Sequence, residues 1–246
     1  MNPIWETTTK IRAFDVDAYG RLKVNIILDY FQDAASIDAE RRNFGYNEFV
    51  PKGLYWVLSW AKFEFIDYPR FMDEIKIRTW GKKQFKIYSI RDYLLFNSKD
   101  EIICKGTSAW VLLDSKSLRP KILPKLFPDI KMLDSKNALS DLPQKIIPPA
   151  QTEVVYSTQI RYSDIDLNQH ANNAKYVERM LDCFDQEFHN KHTLKSLTVS
   201  FSSETKYGDQ IQLSRGCENK TTLTQYIEGK NLFSNKLVFQ AVVEWN

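Results

Sequence analysis

Asp164, Asp166, Asn168 and His170 occupy alternate positions in the stretch RYSDIDLNQH, with Ile165 and Leu167 among the residues between them. In an extended chain, side chains two apart share a face, so this spacing predicts two carboxylates, an amide and an imidazole on one side. Such a set suits acid–base work. Imidazole titrates near neutrality, a carboxylate accepts a proton, and an amide N–H donates to developing negative charge. The residues after Ala171 predict an amphipathic helix, whose first N–H groups would be further donors.

The elements that must position these groups are written twice. IRAFDVDAYGRLKVNIILDYFQD, from Ile11, registers without a gap on IRYSDIDLNQHANNAKYVERMLD, from Ile160, at an offset of 149 residues. Ile11, Arg12, Asp15 and Asp17 meet Ile160, Arg161, Asp164 and Asp166. Val24, Ile27, Leu28, Phe31 and Ala35 form a helical stripe, and Asn173, Tyr176, Val177, Met180 and Phe184 hold the matching positions. FEFIDYPRFMDEIKI, from Phe63, pairs with VSFSSETKYGDQIQL, from Val199, at an offset of 136. Each half therefore predicts a strand, a long helix and several further strands. In the first half these are GLYWVLSWAKFEF, EIKIRTW, FKIYSIRDYLLF and EIICKGTSAWVLL; in the second they are SLTVSFSS, QIQLSRG, TLTQYIEG and LFSNKLVFQAVVEW. Short polar turns such as Asn97 to Asp100 imply antiparallel neighbours, giving an α+β half twice over. The expected organisation is a first unit over residues 1–122, a proline-rich linker over 123–150 and a second unit over 151–246.

Composition narrows the class. The 246 residues, 43% hydrophobic and 13% aromatic, suffice for a buried core. The 34 basic and 31 acidic residues are spread evenly, without the basic blocks of a nucleic-acid binder. Cys104, Cys183 and Cys217 form no CxxC pair and suit reduced thiols. No run of about 18 apolar residues predicts a membrane span. The opening MNPIWETTTKIRAF has no signal pattern, so a cytoplasmic location is expected.

GRLKVNIILDYFQDAA, GLYWVLSWAKFEFIDYPRFMDEIKIRTW, TSAWVLLDSKSLRP and above all RYSDIDLNQHANNAKYVE followed by FSSET resemble the acyl-acyl carrier protein thioesterases. The resemblance covers nearly the whole chain. It implies two tandem hotdog units, each a long helix wrapped by an antiparallel sheet. It also implies hydrolysis of fatty acyl-acyl carrier protein without a cofactor, an acyl carrier protein partner and a homodimer. The family's catalytic positions fall on Asp166, Asn168, His170 and Glu204. Glu204 or His170 would serve as the base, with Asn168 among the oxyanion donors. Where plant members often carry a cysteine, this chain has Thr205, which excludes a thiol nucleophile there. The other expectations within this frame are an acyl-coenzyme A hydrolase and a non-catalytic acyl-binding module.

The repeat refines these roles. Tyr19, Arg21 and Tyr68 stand where the second half has Asn168, His170 and Glu204, so only the second half is expected to catalyse, while the first houses the acyl chain. Tyr30, Phe31 and Trp56 are the candidate chain-binding residues. Asp15 and Asp17 persist in the silent half, which favours a structural Asp164 and leaves Asp166 open between orienting and reacting. His189 and His192, in HNKH, lack companion ligands and predict a loop without a metal. The basic stretch Lys116 to Lys125 is either a solvated linker or a contact for an acidic carrier. No glycine-rich phosphate loop predicts a nucleotide cofactor.

Overall fold

The computed structural model describes residues 2–216 and 223–246. Cys217 and Thr222, the latter the start of an expected strand, lie outside the described residues. The chain forms two compact units, Met1–Pro143 and Gln144–Asn246.

In the first unit, strands β1 (Ile4–Lys10), β2 (Leu54–Phe65), β3 (Glu74–Phe85), β4 (Tyr88–Phe96) and β5 (Ile102–Asp114) pair antiparallel in the order β1-β3-β4-β5-β2, and a short β6 (Pro120–Lys121) adds to β5. Helix α1 (Val24–Arg41) buries the predicted stripe of Val24, Ile27, Leu28, Phe31 and Ala35. Phe31 is fully buried, stacked on Tyr93 of β4 at 4.7 Å and near Phe63 of β2 at 5.7 Å. Gly106 on β5 makes room for these rings, because a Cβ there would come within 2.8 Å of Phe63 and 3.2 Å of Phe31. Phe85 and Tyr88 are paired across a hairpin with Lys86 at φ +54°, so the run FKIYSIRDYLLF, expected as one strand, turns at its start. A short helix, α2 (Tyr46–Phe49), follows α1.

The first unit also runs past the expected boundary at residue 122. Leu123, at the start of α3 (Leu123–Leu126), is buried with Phe44, Phe49 and Leu112, and Phe127, Ile130 and Met132 pack on that cluster. Polar bonds carry the contact onward: Leu133 N–H to the Gly81 carbonyl at 2.9 Å, Ala138 N–H to Asp92 at 2.7 Å and Lys62 to Asp141 at 2.7 Å. The prolines here shape a strap over the unit, because apolar residues spaced between them have a core to enter.

The second unit repeats the topology. Strands β7 (Glu153–Gln159), β8 (Leu194–Phe201), β9 (Gln210–Gly216), β10 (Thr224–Asn231) and β11 (Leu237–Trp245) pair antiparallel in the order β7-β9-β10-β11-β8. Its helix, α4 (Asn173–Leu181), is half the length of α1 and ends before Phe184. Asp185 explains the stop: its carboxylate accepts the Phe188 N–H at 2.7 Å and caps a new helix, α5 (Gln186–Lys191). Phe184 is still buried, against Phe188 and Trp245 at 4.8 Å each. His189 thus lies on a helix, not in the expected loop, and His192 caps it; their ring nitrogens meet the carbonyls of Leu181 and Asn246 at 3.0 and 2.9 Å.

Hydrogen bonds match across the two units at both offsets. Ile11 N–H to Asp73 O corresponds to Ile160 N–H to Asp209 O, and Leu22 N–H to Pro69 O corresponds to Ala171 N–H to Thr205 O. Each unit is a hotdog, a helix against a five-stranded antiparallel core, and the chain is α+β as expected.

Candidate active site

The segment from Arg161 to Ala171 is not the extended run that the alternation predicts. Tyr162–Asp164 form a single 3₁₀ turn, and a tight turn follows from Asp166 to His170, with Asp166 N–H bonded to the His170 carbonyl at 2.8 Å. Short-range bonds from aspartate side chains outcompete the extended form. The carboxylate of Asp166 accepts the N–H groups of Asn168 at 2.8 Å and His170 at 3.4 Å. Asp17 does the same for Tyr19 and Arg21, at 2.8 and 2.9 Å. Gln169 takes φ +64° where the first unit has Gly20 at +74°, so the turn keeps its left-handed residue without the glycine that suits it.

Asp164 faces inward and is buried. Its carboxylate accepts the Arg161 N–H and an Arg179 guanidinium N–H, both at 2.7 Å. Asp15 takes the Arg12 N–H at 2.9 Å and the Tyr30 hydroxyl at 2.8 Å, and Tyr30 is the residue that matches Arg179 in the repeat. Burial, then the Asp15 bond, push the Tyr30 phenol well up, which keeps it a donor. Tyr30 therefore anchors the loop. The sequence signal for Arg179 was this shared position: a long polar side chain beside the apolar stripe of each helix, fifteen residues after the aspartate in both halves.

His170 and Glu204 are brought together. The His170 Nε2 atom lies 3.1 Å from the Glu204 Oε2 atom, with the side chains 21% and 39% exposed. The cause is a backbone bond between their neighbours, Ala171 N–H to the Thr205 carbonyl at 3.0 Å. Asn168 is exposed on the turn two residues from His170. The helix start offers fewer donors than expected. Ala171, Asn172, Ala174 and Lys175 N–H already bond to Thr205 O, Asp164 O, the Asn172 side chain and Asn172 O. Thr205 is fully buried, its hydroxyl 2.7 Å from that of Tyr176. The cysteine-to-threonine exchange drew attention to Thr205 but gave no hint of Tyr176.

The described residues include no group of three His, Cys, Asp or Glu side chains placed to hold a metal. The first unit contains a cavity of about 70 Å³ between α1 and its sheet. Its wall includes Ala35, Phe44, Trp56, Trp110, Met132 and Arg91. Trp56 is in that wall, whereas Tyr30 and Phe31 are not. Arg91 is held by Asp38, fully buried, at 3.0 Å. No helix of the described residues is long and apolar enough to cross a membrane.

Solved structures share this tandem-hotdog fold. An acyl-ACP thioesterase from Bacteroides thetaiotaomicron superposes with a TM-score of 0.90 at 21% identity, covering 100% of this chain and 98% of that one. The 12:0-ACP thioesterase from Umbellularia californica gives 0.84 at 20% identity, covering 100% and 98%. The acyl-ACP thioesterase N-terminal domain model matches residues 3–129 and the C-terminal domain model residues 149–246. The chain belongs to the acyl-ACP thioesterase family. It is 26% identical over 244 residues to the chloroplastic oleoyl-acyl carrier protein thioesterase 1 of Arabidopsis thaliana, an alignment covering 90% of this chain and 64% of that relative's length.

Proposed function

We propose that the protein hydrolyses fatty acyl-acyl carrier protein to free fatty acid and carrier protein, with the chemistry in the second unit and the acyl chain housed in the first. The 3.1 Å contact of His170 with Glu204 carries this assignment, because the matching positions of the first unit, Arg21 and Tyr68, cannot form such a dyad.

In this mechanism the His170 Nε2–H donates to Glu204 Oε2 and fixes the carboxylate, whose other oxygen takes a proton from water. The water oxygen adds to the thioester carbonyl carbon, and the charge that develops on the carbonyl oxygen meets the Asn168 amide. Collapse of the tetrahedral intermediate breaks the carbon–sulfur bond, and the proton held by Glu204 passes to the departing thiolate. Asp166 holds Asn168 and His170 in place through their backbone N–H groups and does not itself react. No step needs a cofactor. Trp56, in the wall of the first-unit cavity, contacts the acyl chain.

The test is incubation with carrier proteins bearing acyl chains of graded length, and with the same chains on coenzyme A, followed by analysis of the free acids. Release from the carrier at higher kcat/KM is expected. A strong coenzyme A preference would make the protein an acyl-coenzyme A hydrolase, and saturable binding without turnover an acyl-binding module. The working form is proposed to be a cytoplasmic homodimer. Light scattering at micromolar concentration and fractionation of the source cells check the two halves of that statement.

A further inference from the structure

We infer that the Thr205–Tyr176 hydroxyl pair is a positioning device that holds Glu204 against His170, an inference that rests on the hydrolase assignment of the same site. Glu204 lies in the stretch Ser202–Lys206, beyond the end of β8 and outside any strand or helix. The stretch is tied at its start by Ser202 and Ser203 N–H to the Val238 carbonyl, at 2.7 and 3.2 Å. Next to Glu204, Thr205 is held twice: its carbonyl takes the Ala171 N–H at 3.0 Å, and its hydroxyl meets that of Tyr176 at 2.7 Å. Tyr176 is fixed in turn, buried on α4 with its ring 6.1 Å from Phe201 and 5.6 Å from Phe239. Burial pushes its phenol up to about 12, so the proton stays within the pair across the working pH range. One helix thereby anchors both partners of the dyad. Asn172 caps α4 two residues from His170, and Tyr176 grips the residue after Glu204.

The first unit is an internal control. At the positions of Thr205 and Tyr176 it has Pro69 and Ile27, both buried, and the backbone bond survives as Leu22 N–H to Pro69 O at 2.9 Å. The turn thus folds with an apolar filler and no hydroxyl. Burying two hydroxyls costs desolvation that a proline and an isoleucine avoid. The pair occurs in the unit that has a carboxylate to orient, where the other has Tyr68.

Thr205→Val, Tyr176→Phe and Thr205→Ser in the full chain test this. Thr205→Val and Tyr176→Phe are expected to lower kcat about tenfold or more, since small misplacements of a reacting group are costly. KM should stay within about twofold, because the acyl chain is bound elsewhere. Thr205→Ser keeps the hydroxyl and should keep kcat. In long-range ¹H–¹⁵N spectra the His170 Nε2 resonance should move in Thr205→Val towards its position in Glu204→Gln. Unchanged kcat with only a lower Tm, equal effects of Ser and Val, or an unmoved Nε2 resonance overturns the inference. Tyr176→Phe preserves the ring packing and decides the matter if Thr205→Val does not fold. A wild-type protein that releases no fatty acid defeats the hydrolase assignment instead, and the Nε2 resonance still reports on positioning.

Discussion

His170 Nε2 lies 3.1 Å from Glu204 Oε2, and the same frame in the first unit holds Arg21 Nε 2.9 Å from Asp17 Oδ2. Two copies of one loop have closed on different partners. In the first, the cation folds back onto its own turn; in the second, the imidazole reaches across to the segment after β8.

Removing either partner of the dyad should cost turnover, not structure. Both side chains are partly exposed, so His170→Ala and Glu204→Ala should leave the fold intact and lower kcat by about 10²- to 10⁴-fold. The double variant should be little worse than the worse single, because the two act as a unit. Steady-state hydrolysis of fatty acyl-acyl carrier protein together with circular dichroism checks this, and near-normal rates in either single variant remove that residue from the mechanism.

Asp164 and Asp166 should separate. Asp164→Ala leaves the Arg179 guanidinium without its buried partner and should destabilise the protein by about 3 kcal/mol, read from urea midpoints. Asp166→Ala frees a surface turn and should cost about 1 kcal/mol, yet lower kcat more than its stability loss explains. Equal stability losses would contradict the division.

Gln169 is strained where Gly20 is not. Gln169→Gly should raise stability by about 0.5 kcal/mol, the relief of the left-handed φ exceeding the entropy gained by the unfolded chain. Gln169→Val, branched at Cβ, should lower both stability and kcat. Thermal melts and turnover on the same samples test the pair.

The two described cysteines should be silent in the folded protein. Burial raises both thiols, Cys183 to about 12 and Cys104 further, and the thiolate is the reactive form. At pH 8 the thiolate of Cys183 is then about one part in ten thousand, so iodoacetamide should label neither residue until denaturant is added. Mass mapping of the alkylated peptides reads the outcome, and rapid native labelling at Cys104 would show that its surroundings open.

Filling the first-unit cavity should change the product. Ala35→Leu places extra carbons in its wall, so the released acids should shift to shorter chains while the rate on the shortest is kept. Gas chromatography of the free acids measures this. An unchanged profile would place the acyl chain elsewhere.

The sequence by itself determined the duplication, the succession of strand, helix and further strands along each half and the frame of the loop, because these rest on local periodicity and on residues such as Asp15 and Asp164 that recur at one offset. It also marked Glu204 and His170 through family resemblance. It misjudged the loop's conformation, since alternation implies an extended chain, whereas Asp166 closes a turn on Asn168 and His170. It overran the second helix, where Asp185 starts another. It treated 123–150 as a linker because proline and charge are read without knowing that Leu123 has a core to enter. Only the tertiary structure decided that Glu204 meets His170, that Tyr30 serves Asp15 and that Thr205 is paired with Tyr176. Those contacts join residues far apart in the chain, and burial, which no single segment can signal, selects between a solvated side chain and a bonded one.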